Sequence, residues 1–417
     1  MAENVISRKE DQWKAVCTVP DVCKTPMGGS TPPVPYQVTA EMNIAQGVSG
    51  NVHANDHMVH KDDKTIMPKT EGDEPGTAKG VKSGTVGEQA WNIEKSNNVN
   101  VNGEEVVRKD DKVEMNGPKL TKEEEEKKKR YECRKEQIEE GKKSNDPATR
   151  AAAERFAKNN VAAERAALSD HSYDPTKPPP PGWRDISGDP EALKRYGITP
   201  ESLDDSRPGA TRLYEPNPDV FGNDMRPTLA FRGTENGADW GQNFRQGLNF
   251  DSAYYRNAVG LGNTLGNSVD YTGHSLGGGL ASAAATAGGG TGTTFNAAGL
   301  NSNTVTRYGG QVRPTNIDAY RVDGEVLTGV QEQSLSGTAT AARVGWAVGG
   351  FWGAVAGALG KVGLAAAAPD AIGTPHALPA TSLDPLSRHK MPDVRKGIEK
   401  QKEADQKKIA EKTGKKC

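Results

Sequence analysis

The spacing of apolar positions changes twice along the chain and divides it into three stretches. Over residues 1–118 they come as short alternations, as in VNVNGEEVV at 99–107, broken by Pro/Gly clusters and by the pairs Asn102-Gly103 and Asn116-Gly117. Alternation of period two predicts strands, and Asn-Gly suits a type I′ turn, so residues 97–113 read as a hairpin in a small, turn-rich β domain. From 119 to 182 the pattern becomes helical. Glu123–Glu126 followed by Lys127–Arg130 sets Glu four positions before a basic residue at each step, which predicts a solvated helix, with the alternative that it lies across another domain through Tyr131 and Ile138. A second helix is expected over ATRAAAERFAKNNVAAERAAL, with Asp146 as N-cap and Pro147 at its first position, and DPTKPPPPGW at 174–183 then stops helical continuation. This middle region reads as a helical connector. Beyond 183, strand-like runs (TLAF, NSVDYT, TGTTFNAAGL, NIDAYRVDGEVLTGV) alternate with helical ones (LASAAATA and the C-terminal MPDVRKGIEKQKEADQKKIAEKT), the pattern of an α/β domain.

One stretch of this last domain exceeds what such a fold requires. Residues 339–371 are apolar and glycine-rich, and Val344–Gly360 carries no charge, close to the lower limit for a bilayer span. Two readings stand side by side. The stretch is a buried helical hairpin, or it is a lid or membrane-engaging insertion with Trp346, Phe351 and Trp352 as interfacial anchors.

Composition narrows the function classes. With 34% hydrophobic residues, 48 Gly and 26 Pro, much of the chain is loop or turn-rich structure. A net charge of −2 offers no electrostatic footprint for nucleic acid, so none is expected as a partner. The four cysteines, Cys17, Cys23, Cys133 and Cys417, are too few for a disulfide framework, and a Cys17–Cys23 bridge is left open. The N-terminus, MAENVISRKEDQWK, has no apolar core, so export is expected by a route other than a cleaved signal.

Gly273-His274-Ser275-Leu276-Gly277 carries the strongest chemical signal, a G-x-S-x-G in which glycines flank a serine on a strained strand-to-helix turn. Ser275 is the candidate nucleophile. The helix after it would aim the Leu276 N–H at a developing oxyanion, and Thr234, in the turn that closes the TLAF strand, is placed to supply the second donor. An acid and then a histidine must follow. Asp323 and Glu325 both lie at the end of a strand and share one face of an extended segment; Asp323 is taken first as the commoner triad acid, with Glu325 the alternative. Only His376 and His389 come later. His389 precedes the C-terminal helix and is preferred, with His376 the alternative; His274 reads as a residue that packs and hydrogen-bonds locally, and His171 as part of the connector.

Two resemblances add to this reading. PDVCKTPMGGSTPPVPYQV at 20–38, GDEPGTAKGVKSGTVG at 72–87 and NVNVNGEEVVRKDDKVEMN thereafter resemble the PAAR-like spike-tip domain of type VI secretion systems over roughly residues 16–118. That resemblance implies a β-rich cone that caps the VgrG spike trimer. PAAR proteins proper bind zinc, and His53, His57 and His60 cluster here, but their spacing fits no standard zinc pattern and they are expected to be solvated loop residues. The succession AFRGT, DW and YTGHSLGG resembles class 3, fungal-lipase-like α/β-hydrolases over about 225–330, where the positions of Thr234 and Ser275 serve as oxyanion-hole and nucleophile residues; the class 3 acid-x-Val pattern would select Glu325.

Together they imply a multidomain chain. Residues 1–118 form the PAAR-like cone, 119–182 the helical linker, and 183–417 a three-layer α/β/α hydrolase with the 339–371 insertion. The expected function is that of a type VI secretion antibacterial effector, a serine phospholipase or lipase without cofactor, held in the producing cytoplasm and then delivered to the periplasm or membrane of a target cell. Its expected partners are VgrG, membrane phospholipid, an immunity protein and a loading chaperone. The alternatives are a spike component with a degenerate hydrolase module, or an enzyme acting on triglyceride or other acyl esters.

Overall fold

Tight turns at Asn and Asp organise the N-terminal part of the molecule. The computed structural model describes residues 5–81, 83–204, 210–233, 253–301, 303–325 and 371–417, and the chain separates into two compact units, Met1–Glu125 and Glu126–Cys417. In the first, Asn102 and Gly103 both take positive φ, 56° and 86°, the type I′ geometry that joins Asn100–Val101 to Glu104–Glu105. Asn55 and Asp56 do the same between His53–Ala54 and His57–Met58. A three-stranded antiparallel sheet, Ile66–Met67, Ala90–Asn92 and Val113–Met115, packs Met67 and Ala90 against Ala15, Ala40 and Met42. The unit is β-rich throughout.

The second unit is built on a seven-stranded sheet whose spatial order follows the chain: β1 (Trp183–Asp185), β2 (Thr211–Pro216), β3 (Thr228–Phe231), β4 (Asp270–His274), β5 (Thr291–Phe295), β6 (Asn316–Val322) and β7 (Thr374–Leu378). Strands β1 to β3 pair antiparallel and β3 to β7 parallel. Right-handed crossovers that always advance in one direction place their helices on one face, and α3 (Ala253–Leu265) and α4 (Leu276–Gly288) accordingly share a core with Leu229, Phe231, Tyr271 and Ile317. The pleat turns Phe295, Tyr320, Val322 and Leu378 the other way.

That opposite face is covered from both ends of the unit. Helix α1 (Lys122–Lys142) packs Ile138 on Ala152, Ala153 and Phe156 of α2 (Pro147–His171), and α2 starts as expected, with the Asp146 side chain accepting from the N–H groups of Ala148 and Thr149. Ala162 and Ala166 of α2, with Met391, Val394 and Ile398 of the C-terminal helix, pack on the outward-turned strand residues. Between β7 and that helix lies a short one, α5 (Pro385–His389); the C-terminal helix itself is α6 (Met391–Thr413). The stretch 119–182, expected as a connector, is therefore a structural layer. Its alanines let α2 lie close to the sheet, where Ser169 Oγ is 3.0 Å from Thr272 Oγ1 and the buried Arg165 meets Asp270 at 2.6 Å.

The cysteines form one bond that their spacing does not suggest. Cys133 of α1 and Cys417 form a disulfide across 284 positions, whereas Cys17 and Cys23 are free thiols. Spacing along the sequence says nothing about such a pair; the return of α6 alongside α1 brings it together. No helix among the described residues is long and apolar enough to cross a membrane, and the 339–371 stretch lies outside them up to its last residue.

Candidate active site

Strand β4 ends at His274, and Ser275 then adopts φ 58° and ψ −125° before α4 begins at Leu276. A non-glycine residue in that region costs about 1–3 kcal/mol and persists only where its surroundings impose it. They do so here by steric exclusion. A Cβ at Gly273 would sit 2.2 Å from the Gly277 carbonyl oxygen, and one at Gly277 would sit 2.1 Å from that of Phe231. Backbone bonds complete the turn: the Ser275 N–H donates to the Phe295 carbonyl, and the Ser275 carbonyl accepts from the N–H groups of Gly278 and Ala298. As the first residue of α4, Leu276 has an N–H with no carbonyl of its own helix to meet.

The end of β3 runs directly past this turn. A side chain at Gly233 would meet the His274 carbonyl oxygen at 2.7 Å and Ser275 Cβ at 3.4 Å. Thr234, the next residue, lies outside the described residues.

Of the two candidate acids, the structure brings Glu325 to His389. The Glu325 carboxylate accepts from His389 Nδ1–H at 2.6 Å, with both side chains enclosed. Asp323, the acid placed first from sequence, is exposed. The reason is the turn: Gly324 has φ +67° and redirects the chain, so the two acids no longer share the face that an extended segment would give them. His389 lies beside the serine turn, its ring centroid 5.0 Å from that of His274. His376 is engaged elsewhere. It sits on β7, stacks on Tyr320 and bonds at 2.5 Å to Asp318, whose carboxyl is held below its ordinary range chiefly by that hydrogen bond. An imidazole fixed through Nδ1 to a carboxylate can accept a proton at Nε2 while the carboxylate stabilises the resulting cation.

Two residues that sequence reasoning passed over, Asn296 and Tyr173, complete the surroundings. Asn296, with φ +40° after β5, donates through Nδ2 to the carbonyl oxygens of Arg388 and His389 and accepts the Val322 N–H. Tyr173, just past α2, bonds through its hydroxyl to His274 Nδ1 at 2.8 Å. His274 is bonded at both ring nitrogens: its Nε2 lies 2.6 Å from the His389 carbonyl oxygen, and burial first, then the neighbouring His389, lowers its pKa to about 3. The only sequence signal for Asn296 was its place, in FNAAGL, at the end of the strand that follows the Ser275 turn and its helix. His171 is remote from this group, bonded to Tyr214 and the Lys177 carbonyl.

In the N-terminal unit His53 is exposed and His57 Nδ1 lies 3.0 Å from the Lys9 carbonyl. His60, expected to be solvated, is instead buried against Ser7 Oγ, and burial lowers its pKa to about 4. Its backbone N–H bonds to Ser7, which draws the side chain inward. The ligand-type side chains close enough to share an ion, among the described residues, are Asp21, Cys23 and Asp73. There the Asn116 amide already bonds to both carboxylates, and burial, then Asp21, pushes the Cys23 thiol up to about 12.

A mixed sheet with helices on both faces, a serine on a strained strand-to-helix turn and an enclosed histidine–carboxylate pair beside it are the features of the second unit. The chain belongs to the phospholipase-like family described as the Tle-like phospholipase domain, whose model matches residues 164–384, and residues 14–121 match the toxin PAAR-like domain. The phospholipase match contains Ser275 and Glu325 and stops short of His389. Similarity extends to an extracellular phospholipase A1 of Serratia liquefaciens, 36% identical over 154 residues, covering 34% of this chain and 46% of that relative. The chain thus spans about half the length of the relative it matches.

Proposed function

We propose that the second unit is an α/β-hydrolase that cleaves ester bonds of membrane phospholipids with a Ser275–His389–Glu325 triad. Ser275 Oγ attacks the acyl carbonyl while His389 Nε2 takes its proton; His389 then protonates the leaving lysophospholipid alcohol, and water repeats the sequence to free the fatty acid. Glu325 holds the imidazole tautomer and balances its charge. The Leu276 N–H and Thr234 stabilise the oxyanion. The observation that carries this reading is the Glu325–His389 pair beside the Ser275 turn in a chain of the Tle-like phospholipase family.

The PAAR-like domain makes the enzyme a delivered one, carried on a VgrG spike by type VI secretion into another bacterium, with an immunity protein protecting the producer and a chaperone assisting loading. Residues 1–118 are the docking domain, and the hydrolase domain of this proposal is the second unit, Glu126–Cys417, because α2 covers its sheet. The similarity to a phospholipase A1 favours the sn-1 ester, and the Cys133–Cys417 disulfide suits an oxidising periplasm as the site of action. Purified protein and Ser275→Ala, assayed for fatty-acid release from phosphatidylethanolamine/phosphatidylglycerol vesicles, test the reading. Wild-type turnover with loss on the order of 10⁴-fold in the variant is expected, and equal rates would refute it.

A further inference from the structure

We propose that Tyr173 and His274 are positioning residues that hold the backbone of His389 in place for the reaction. The inference rests on the Ser275–His389–Glu325 reading.

The bonding pattern fixes its own polarity. His389 is the last residue of α5, a short helix, so its carbonyl has no N–H of that helix to accept from. Two side-chain donors take that role: His274 Nε2 at 2.6 Å and Asn296 Nδ2 at 3.0 Å. A carbonyl oxygen only accepts, so His274 must carry its proton on Nε2. Its Nδ1 is then an acceptor, and the Tyr173 hydroxyl, 2.8 Å away, must be the donor. Tyr173 thereby supplies the donor that Nδ1 needs in the one neutral tautomer of His274 that can bind His389. Its loss would leave the buried Nδ1 without that donor, which loosens the ring and weakens its bond to the His389 carbonyl. The low pKa of the buried His274 keeps the ring neutral, as this chain of bonds requires.

Tyr173 also meets the other side of the site. A Cβ at Gly233 would lie 2.3 Å from the Tyr173 oxygen, so this hydroxyl occupies the space beside the turn that leads to Thr234. One phenol thus touches the loop before Thr234 and the residue before Ser275. With Glu325 on Nδ1 and His274 on the carbonyl, His389 is held by side chain and backbone at once.

The test compares full-length Tyr173→Phe, His274→Leu and His274→Gln for kcat and KM on vesicles and for the rate at which a fluorophosphonate labels Ser275. Tyr173→Phe should lower kcat and the labelling rate about tenfold with KM unchanged, and His274→Leu should lower them further. His274→Gln, whose amide nitrogen can replace Nε2 as donor, should fall between His274→Leu and wild type. Wild-type kcat and labelling in Tyr173→Phe would overturn the proposal, and so would equal losses in the Gln and Leu variants. A fully active Ser275→Ala would instead refute the catalytic reading beneath it, whatever the Tyr173 variant does.

Discussion

The Glu325 carboxylate and the His389 ring meet at 2.6 Å across 64 positions of sequence, both side chains almost wholly shielded from solvent. Asp323, two residues earlier, faces water. Glu325→Gln is expected to lower kcat/KM for phospholipid by about 10³ to 10⁴-fold, because an amide cannot balance the imidazolium. Asp323→Asn should stay within about twofold of wild type. A fatty-acid release assay on both variants decides the assignment, and the opposite ranking would return the acid's role to Asp323.

Acid should weaken the fold through His274. Its pKa is lowered from the ordinary 6.5 to about 3 by burial, so below about pH 6.5 the unfolded chain takes up a proton that the folded chain refuses. Stability is complete above that value and falls with pH toward 3, by about 2 kcal/mol at about pH 5 from this residue alone. Thermal melts of wild type and His274→Gln between about pH 7.5 and 4.5 check it. The variant should show the shallower decline; parallel curves would exclude His274 as the cause.

Asp270 opens the strand that ends at His274, just before Ser275, and pairs with Arg165, which is fully buried on α2. Asp270→Asn leaves that guanidinium enclosed without a counter-charge and should cost about 3–5 kcal/mol in urea denaturation. The double variant Arg165→Met with Asp270→Asn should lose less than the single one, since no buried charge is then left unpaired.

The Cys133–Cys417 disulfide ties α1 to the residues following α6. Reduction, or Cys417→Ser, should remove about 2–5 kcal/mol by releasing a long loop in the unfolded chain. Melting temperatures with and without dithiothreitol measure this. Reductant should shift wild type to the value of Cys417→Ser and leave the variant unmoved.

Much of the sheet was legible because its strands are short apolar runs closed by turns: TLAF, TGTTF and NIDAYRV form β3, β5 and the whole of β6. The serine turn was legible because the glycines two before and two after Ser275 mark it within one pentapeptide. The connector was misread because α2 hides its packing in alanine, whose burial leaves no apolar stripe of large residues, and in Arg165, a residue expected in solvent.

By itself, the order of residues determined the elbow. Gly273 is demanded by the carbonyl of nearby Gly277, and Gly277 by the end of β3 at Phe231, but the G-x-S-x-G spacing that meets both demands is itself written in five consecutive residues. It could not choose between Asp323 and Glu325, because a period-two pattern treats them alike until a positive φ at Gly324 separates them. Nor could it find Tyr173, Asn296 or the Cys133–Cys417 bond. These depend on where α2, β5, α1 and α6 converge, and convergence is decided by packing across the sheet, over separations at which the sequence carries no geometric signal.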